Sequence, residues 1–307
     1  MQLKRPVIGG LAVSLAAIMW GFDGIVLTPR LFNLDVVFVV FVLHAIPFFL
    51  MNVFLYKDYK HLKSFTRQDI LFFTLVALTG GVIGTASIVK ALFLVDFQEL
   101  SVVVLLQKLQ PIFSILLAFI ILKEKLKARF SLWASVAIIS SYFLVFGFSL
   151  PHLGSGRNII YAALYSLLAA FAFGSSTVFS KKILQKYSFK TSTFYRYGIS
   201  TIILFTIVLI TGKFTQINIV TPENWGYFVL IALTTGSGAI FLYYFGLTRI
   251  NAMTATMCEL FFPISAILFD YFINGKVLSP IQWISASIMI FSIIKLNLLK
   301  NNHIKKG

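Results

Sequence analysis

The chain has 307 residues, of which 59% are apolar and only 12% charged, and it carries a net charge of +16. Soluble domains hold roughly 45–50% apolar and about 25% charged residues, so the composition excludes a water-soluble globular protein and selects lipid as the solvent. The excess of 26 Lys and Arg over 10 Asp and Glu suggests an acidic partner such as nucleic acid only until the charges are placed.

A bilayer core of about 30 Å takes roughly 20 apolar residues per helix. In chain order that ruler predicts ten spans, at 7–28, 35–56, 70–93, 99–122, 130–149, 158–180, 191–211, 225–247, 252–273 and 281–299. The expected fold is an all-α, polytopic membrane bundle of ten transmembrane helices with no soluble domain. A β-barrel would instead show short segments of alternating polarity, whereas Ser114–Leu122 and Ile199–Ile210 are continuously apolar. Only the stretches around Lys57–Arg67, Pro151–Arg157 and Lys213–Asn224 are expected to form real loops. The first apolar run is longer than a signal-peptide core and is followed by Trp20, Asp23 and Pro29; it reads as a retained helix. Cys258 has no second cysteine to pair with.

With ten spans and the N-terminus inside, the inner segments hold most of the basic residues, from Lys4 and Arg5 to Lys300, Lys305 and Lys306. The outer ones hold Arg30, Arg157, Lys213 and Lys276, and Lys90, Lys108 and Arg196 fall within spans. This positive-inside bias predicts both termini in the cytoplasm. Anionic inner-leaflet lipid accounts for the charge, so no nucleic-acid partner is expected.

The sequence repeats itself. Leu109–Ile115 matches Phe261–Ile267, Leu78–Gly81 matches Leu233–Gly236, and Trp20–Gly21 matches Phe173–Gly174. Two five-helix copies follow, 1–150 and 151–307. Five crossings are an odd number, so the second copy is turned over relative to the first. Inverted repeats are typical of carriers that alternate access around a midplane site. No H-E-x-x-H, G-x-S-x-G or Cys/His cluster is found, so neither an enzyme nor a metal or cofactor site is expected.

Lys90–Leu92, Leu106–Pro111 and Leu122–Leu126 in the first copy, with Tyr244–Leu247 and Glu259–Pro263 in the second, resemble the EamA repeat of the drug/metabolite transporter superfamily. The resemblance covers nearly the whole chain. It implies a ten-helix carrier with a central cavity, moving small organic metabolites. One departure stands out: the acidic residue after the proline-containing helix is Glu124 in copy one, but Lys276 occupies its place in copy two.

Pro111 and Pro263 lie mid-span in the fourth and ninth helices. A proline there removes a backbone donor and displaces the carbonyl four residues earlier, which predicts free carbonyls at Gln107 and Glu259 beside polar side chains. Both prolines can equally serve only to shape a cavity wall. Charges deep in a bilayer usually face the bundle interior. Lys108 and Glu259 therefore either pair with each other or bind a substrate carboxylate and a proton or amine. Carboxyl groups withdrawn from water hold protons more readily, which suits proton coupling. Asp23 is a proton relay or is held by Thr28. His44 reads as a neutral, hydrogen-bonded ring, and Arg196 as a side chain snorkelling to the cytoplasmic face. Trp20, Tyr195, Tyr243 and Tyr244 are expected in the cavity wall, their polar tips needing partners. Lys90, Glu99 and Asp270 are expected at the outer interface. Gly80, Gly81, Gly84, Gly236 and Gly238 are expected to permit close helix contact.

The function expected is an inner-membrane secondary carrier for a small polar, amino-acid-like metabolite, linked to protons and working by alternating access. An organic-cation carrier and a non-transporting scaffold or sensor are the alternatives, and a homodimer is left open.

Overall fold

A computed structural model describes residues 5–96, 100–150, 157–275 and 277–299. Lys4, Glu99, Lys276, Lys300, Lys305, Lys306 and segment 151–156 of the expected second loop lie outside the described residues. Among the described residues there is no strand, and nine helices are long and apolar enough to cross a membrane. They are the first, second and third (Arg5–Leu31, Val36–Ser64, Arg67–Leu94), the fifth to seventh (Ala128–Phe146, Arg157–Leu184, Phe189–Ile210) and the eighth to tenth (Pro222–Leu247, Ala252–Ile273, Pro280–Leu298). The fourth is built from two pieces, Leu100–Gln107 and Gln110–Ile121. Large apolar side chains such as Phe54 and Ile210 stand about four-fifths exposed, as a surface solvated by acyl chains requires.

Two of the expected loops are shorter than predicted. Residues Tyr56–Ser64 and Lys213–Ile219 wind as 3-10 turns, so the second helix runs on past its apolar part.

Local chemistry sets the helix starts. Thr66 accepts from the Asp69 backbone N–H while Asp69 accepts from that of Thr66, a reciprocal capping box, and Thr221 and Asn224 form another. These caps open the third and eighth helices, which are equivalent in the two copies. Asp35 and Ser188 likewise cap the equivalent second and seventh helices. Each cap satisfies backbone donors that lipid cannot.

The packing follows the same duplication. The first helix lies against the eighth and ninth, and the sixth against the third and fourth. The second lies against the seventh and the fifth against the tenth. Exchanging the first five helices for the last five leaves this scheme unchanged. Glycine makes the tightest of these contacts possible. A Cβ on Gly21 would lie 2.0 Å from Ser265 Oγ, and one on Gly174 would lie 2.9 Å from the Gln110 carbonyl. The equivalent glycines of the first and sixth helices thus meet the equivalent ninth and fourth helices. Gly80, Gly81 and Gly84 also face side chains of the sixth and seventh helices, as expected. Gly236 and Gly238 do not, because their added Cβ would meet only their own helix backbone.

Candidate functional site

Five helices lose their regular winding around one cavity. The first widens into a π-turn at Asp23–Leu27, the third at Ala77–Ile83 and the eighth at Ala232–Gly236. The fourth breaks at Lys108–Leu109, and the ninth breaks between Cys258 and Phe261. Wide turns of this kind cluster at functional sites, because they re-aim side chains and free backbone groups. Residues from all five breaks line one cavity of about 280 Å³, near the lower end of the roughly 300–1,000 Å³ typical of small-molecule sites.

Proline explains the two breaks, but not in the way its position suggests. The Glu259 carbonyl is not free: the chain tightens ahead of Pro263, and the Phe262 N–H donates to that carbonyl at 2.9 Å. The i→i−3 turn replaces the bond that the proline removes. A similar tightening precedes Pro111, where the Lys108 and Leu109 N–H groups donate to Leu105 and Leu106.

Trp20, Asp23, His44, Gln107, Lys108, Tyr243, Glu259, Pro111 and Pro263 all line the cavity. Glu259 is held by neutral donors. Gln110 Nε2 donates to Oε2, while the Tyr243 hydroxyl at 2.7 Å and the Thr177 hydroxyl at 3.3 Å donate to Oε1. The Gln110 bond ties the broken fourth helix to the broken ninth. Trp20 meets Tyr243 with ring centroids 5.4 Å apart at 51°, forming an aromatic corner beside the carboxylate. Asp23 accepts from the Thr28 hydroxyl at 3.1 Å. His44 Nδ1 lies 2.8 Å from the Val40 carbonyl, so that nitrogen carries the proton and Nε2 is left as an acceptor.

Lys108 and Glu259 do not pair. No ion pair joins them among the described residues, and the side chain of Lys108 is buried in the wall. Tyr195 is not in the wall at all. Its hydroxyl donates to the Asp58 carbonyl at 2.8 Å, and its ring packs on Phe65 and Phe73, because its helix turns that face toward the loop after the second helix. Tyr244 sits one layer behind the wall, bonded to Ser180 Oγ at 2.7 Å.

Arg196 does not snorkel. It is buried and lines the cavity, with Nη2 donating to the Gly80 carbonyl at 2.9 Å and Nη1 to the Tyr244 hydroxyl at 3.2 Å. A π-turn that leaves the Gly80 carbonyl available makes this anchor possible. Gln110, Ser176, Thr177, Tyr197, Thr235 and Thr256 also reach the wall without having been singled out. The repeat carried the missing signal for two of these wall residues: Ser176 is the equivalent of Asp23, and Thr235 of Gly80.

Nitrogen and oxygen atoms in the wall are left without partners. Among the described residues, Gln107 Nε2, Ser176 Oγ, Arg196 Nε and Thr256 Oγ1 are buried and make no hydrogen bond, and all four residues line the cavity. Each such atom costs about 1–3 kcal/mol if nothing occupies its vacant bond. Such a wall suits a polar organic molecule. No group of His, Cys, Asp and Glu suited to holding a metal occurs among the described residues.

A broken-helix bundle built from two like halves around a mainly apolar cavity set with polar groups defines a membrane carrier, and comparison with known proteins places it. The profile of the EamA-like transporter family matches residues 7–146 and again 160–298. The chain belongs to the EamA-like transporter family. It is therefore a multi-pass membrane protein that transports a small molecule, not an enzyme. It is 56% identical over 298 residues to "Riboflavin transporter ImpX" of Fusobacterium nucleatum, covering 97% of this chain and 100% of that one. It is 25% identical over 228 residues to "Uncharacterized transporter YwfM" of Bacillus subtilis, covering 73% and 67%. A solved crystal structure superimposes with a TM-score of 0.68 at 13% identity, over 94% of this chain and 96% of that one, a likeness of fold alone.

Proposed function

We propose that this chain carries riboflavin across the cytoplasmic membrane, by alternating access of a midplane cavity. The observation that carries the reading is the 56% identity, along almost the full length of both chains, with a riboflavin transporter. The cavity supports it: an aromatic corner, hydroxyls and unpartnered donors suit a flat heterocycle bearing carbonyls and a polyol chain. Riboflavin replaces the amino-acid-like cargo expected from charge alone. The finding that overturns that expectation is the near full-length identity with a riboflavin transporter. An organic cation fits less well, because Arg196 and Lys108 bring positive charge to the same wall.

The transport cycle we propose uses residues 1–150 and 151–307 as inverted halves. The double family match, the equivalent caps and the exchangeable packing support that reading, and the bias of basic residues supports cytoplasmic termini. Glu259 is the proposed proton carrier. Its carboxyl group is ringed by donors that carry no charge, so a proton taken up there changes the local charge outright, at the break that links the two halves of the ninth helix.

Cells unable to make riboflavin, and lacking their own carrier for it, test the cargo. Producing this chain should let them grow on riboflavin concentrations that otherwise fail to support growth. Equal growth with and without the chain, despite its presence in the membrane, would rule the cargo out.

A further inference from the structure

We infer that the cavity contains two chemically distinct subsites: an aromatic corner of Trp20 and Tyr243 that takes the flavin ring, and a hydroxylic pocket of Asp23, Thr28 and Thr235 that reads its polyol chain. The assignment rests on the riboflavin reading above and deepens it.

The two copies supply the argument. Equivalent positions line the cavity, yet their chemistry has diverged: Asp23 is matched by Ser176, and Gln107 by Glu259. A cargo with like ends would be met by like residues. A wall whose equivalent positions differ is built for a molecule with unlike ends.

At the aromatic corner lie the tilted rings of Trp20 and Tyr243, 5.4 Å apart. They offer a flat apolar face and an edge, the arrangement that aromatic ligands favour. Gln107 Nε2 and Arg196 Nε, both without partners, can only donate. The carbonyl oxygens and ring nitrogens of a flavin supply the acceptors they lack.

About one turn further along the first helix, next to this corner, the wall is small and oxygen-rich. Asp23 lies in the π-turn of the first helix with Thr28 bonded to it at 3.1 Å. The Thr235 hydroxyl, in the π-turn of the eighth helix, is buried and faces the Asp23 carboxyl group. Gly24 adds room: a Cβ there would meet nothing within 4 Å. A carboxylate is acceptor-only, with two oxygens, and a vicinal diol offers two O–H donors at a matching spacing. Charge-assisted bonds of this kind are the stronger ones.

Lumichrome, which keeps the flavin ring and lacks the polyol, separates the two subsites. Purified protein is titrated with riboflavin and with lumichrome, following quenching of the ligand's fluorescence. Asp23→Asn should weaken riboflavin about tenfold and lumichrome less than about twofold, and Thr235→Val should show the same pattern at about threefold. Trp20→Leu should weaken both ligands by the same factor, about tenfold. Equal losses for the two ligands in Asp23→Asn and Thr235→Val, or lumichrome failing to bind the unsubstituted protein that binds riboflavin, would overturn the subsites and leave the cargo standing. Failure of the unsubstituted, monodisperse protein to bind either ligand would overturn the cargo itself.

Discussion

Glu259 is the residue whose surroundings most constrain the mechanism. Its two oxygens accept from Gln110, Tyr243 and Thr177, and no cation reaches ion-pair distance of it among the described residues. Glutamine preserves its shape but cannot exchange a proton. Glu259→Gln should lower accumulation driven by a pH gradient by about tenfold or more, while exchange at equal pH stays within a few-fold. Parallel uptake assays with and without the gradient make that comparison. Equal losses in both assays would assign Glu259 to binding alone. Gly80 is equally demanding, for steric reasons. An added Cβ would lie 2.2 Å from Ser176 Oγ and 2.9 Å from Arg196 Nη2, so Gly80→Ala should cost about 1–3 kcal/mol of stability, visible as a lowered melting temperature. The place of Glu259 in the cavity wall was legible from the sequence, because a carboxylate four residues before a mid-span proline is unusual in lipid. Arg196 was misread. Its distance from the helix end favoured snorkelling, and only the π-turn at Ala77–Ile83, which presents the Gly80 carbonyl, gives the guanidinium a reason to stay inside.

At the scale of elements, the ends of helices are fixed by a few long-range contacts. Glu124 accepts from the Ala252 N–H at 2.8 Å and the Met253 N–H at 3.1 Å, which caps the ninth helix from the end of the fourth. Lys181 donates to the Leu247 and Ile250 carbonyls at 2.7 and 2.6 Å and so closes the end of the eighth. The connection between the eighth and ninth helices is thereby clasped from both sides. Glu124→Ala should destabilise the fold by about 0.5–2 kcal/mol, the range for loss of a helix cap, as measured by thermal unfolding in detergent. A second clasp joins the third helix to the turn after the sixth, where Lys186 and the Tyr187 hydroxyl both bond to Asp69. The hydrogen bond to Asp69 raises the Lys186 ammonium above its ordinary value of 10.5. A raised amine stabilises the fold fully below that value and loses its effect as pH climbs beyond it. The melting temperature should therefore fall more steeply above about pH 10.5 in the unsubstituted protein than in Lys186→Met. The positions of the helices were legible in the apolar runs, to within a few residues. The prolines marked the breaks of the fourth and ninth helices, but the widened turns of the first, third and eighth were not legible, because a π-turn leaves the composition unchanged and shows only in the wound backbone.

At the scale of the whole molecule, duplication makes the frame and divergence makes the site. Equivalent contacts recur throughout: the first helix on the eighth and ninth, the sixth on the third and fourth. The sequence carried this plainly in its paired proline and glycine motifs. The same pairing bears on the cavity wall, since Trp20, Asp23 and Gln107 of one copy have Phe173, Ser176 and Glu259 as their equivalents, and all six line the cavity. Tyr195 falls outside that logic. It was nominated for its chemistry, and its helix face is taken up by Phe65, Phe73 and the Asp58 carbonyl. Cargo was the least legible property, because a mainly apolar cavity of about 280 Å³ with a few polar groups admits several classes of small metabolite.

Purified protein in liposomes tests the cargo most directly. Vesicles preloaded with unlabelled riboflavin should take up labelled riboflavin well above protein-free vesicles, and excess lumichrome should compete. Labelled uptake no greater than in empty vesicles, from protein shown to be folded and inserted, would contradict the account.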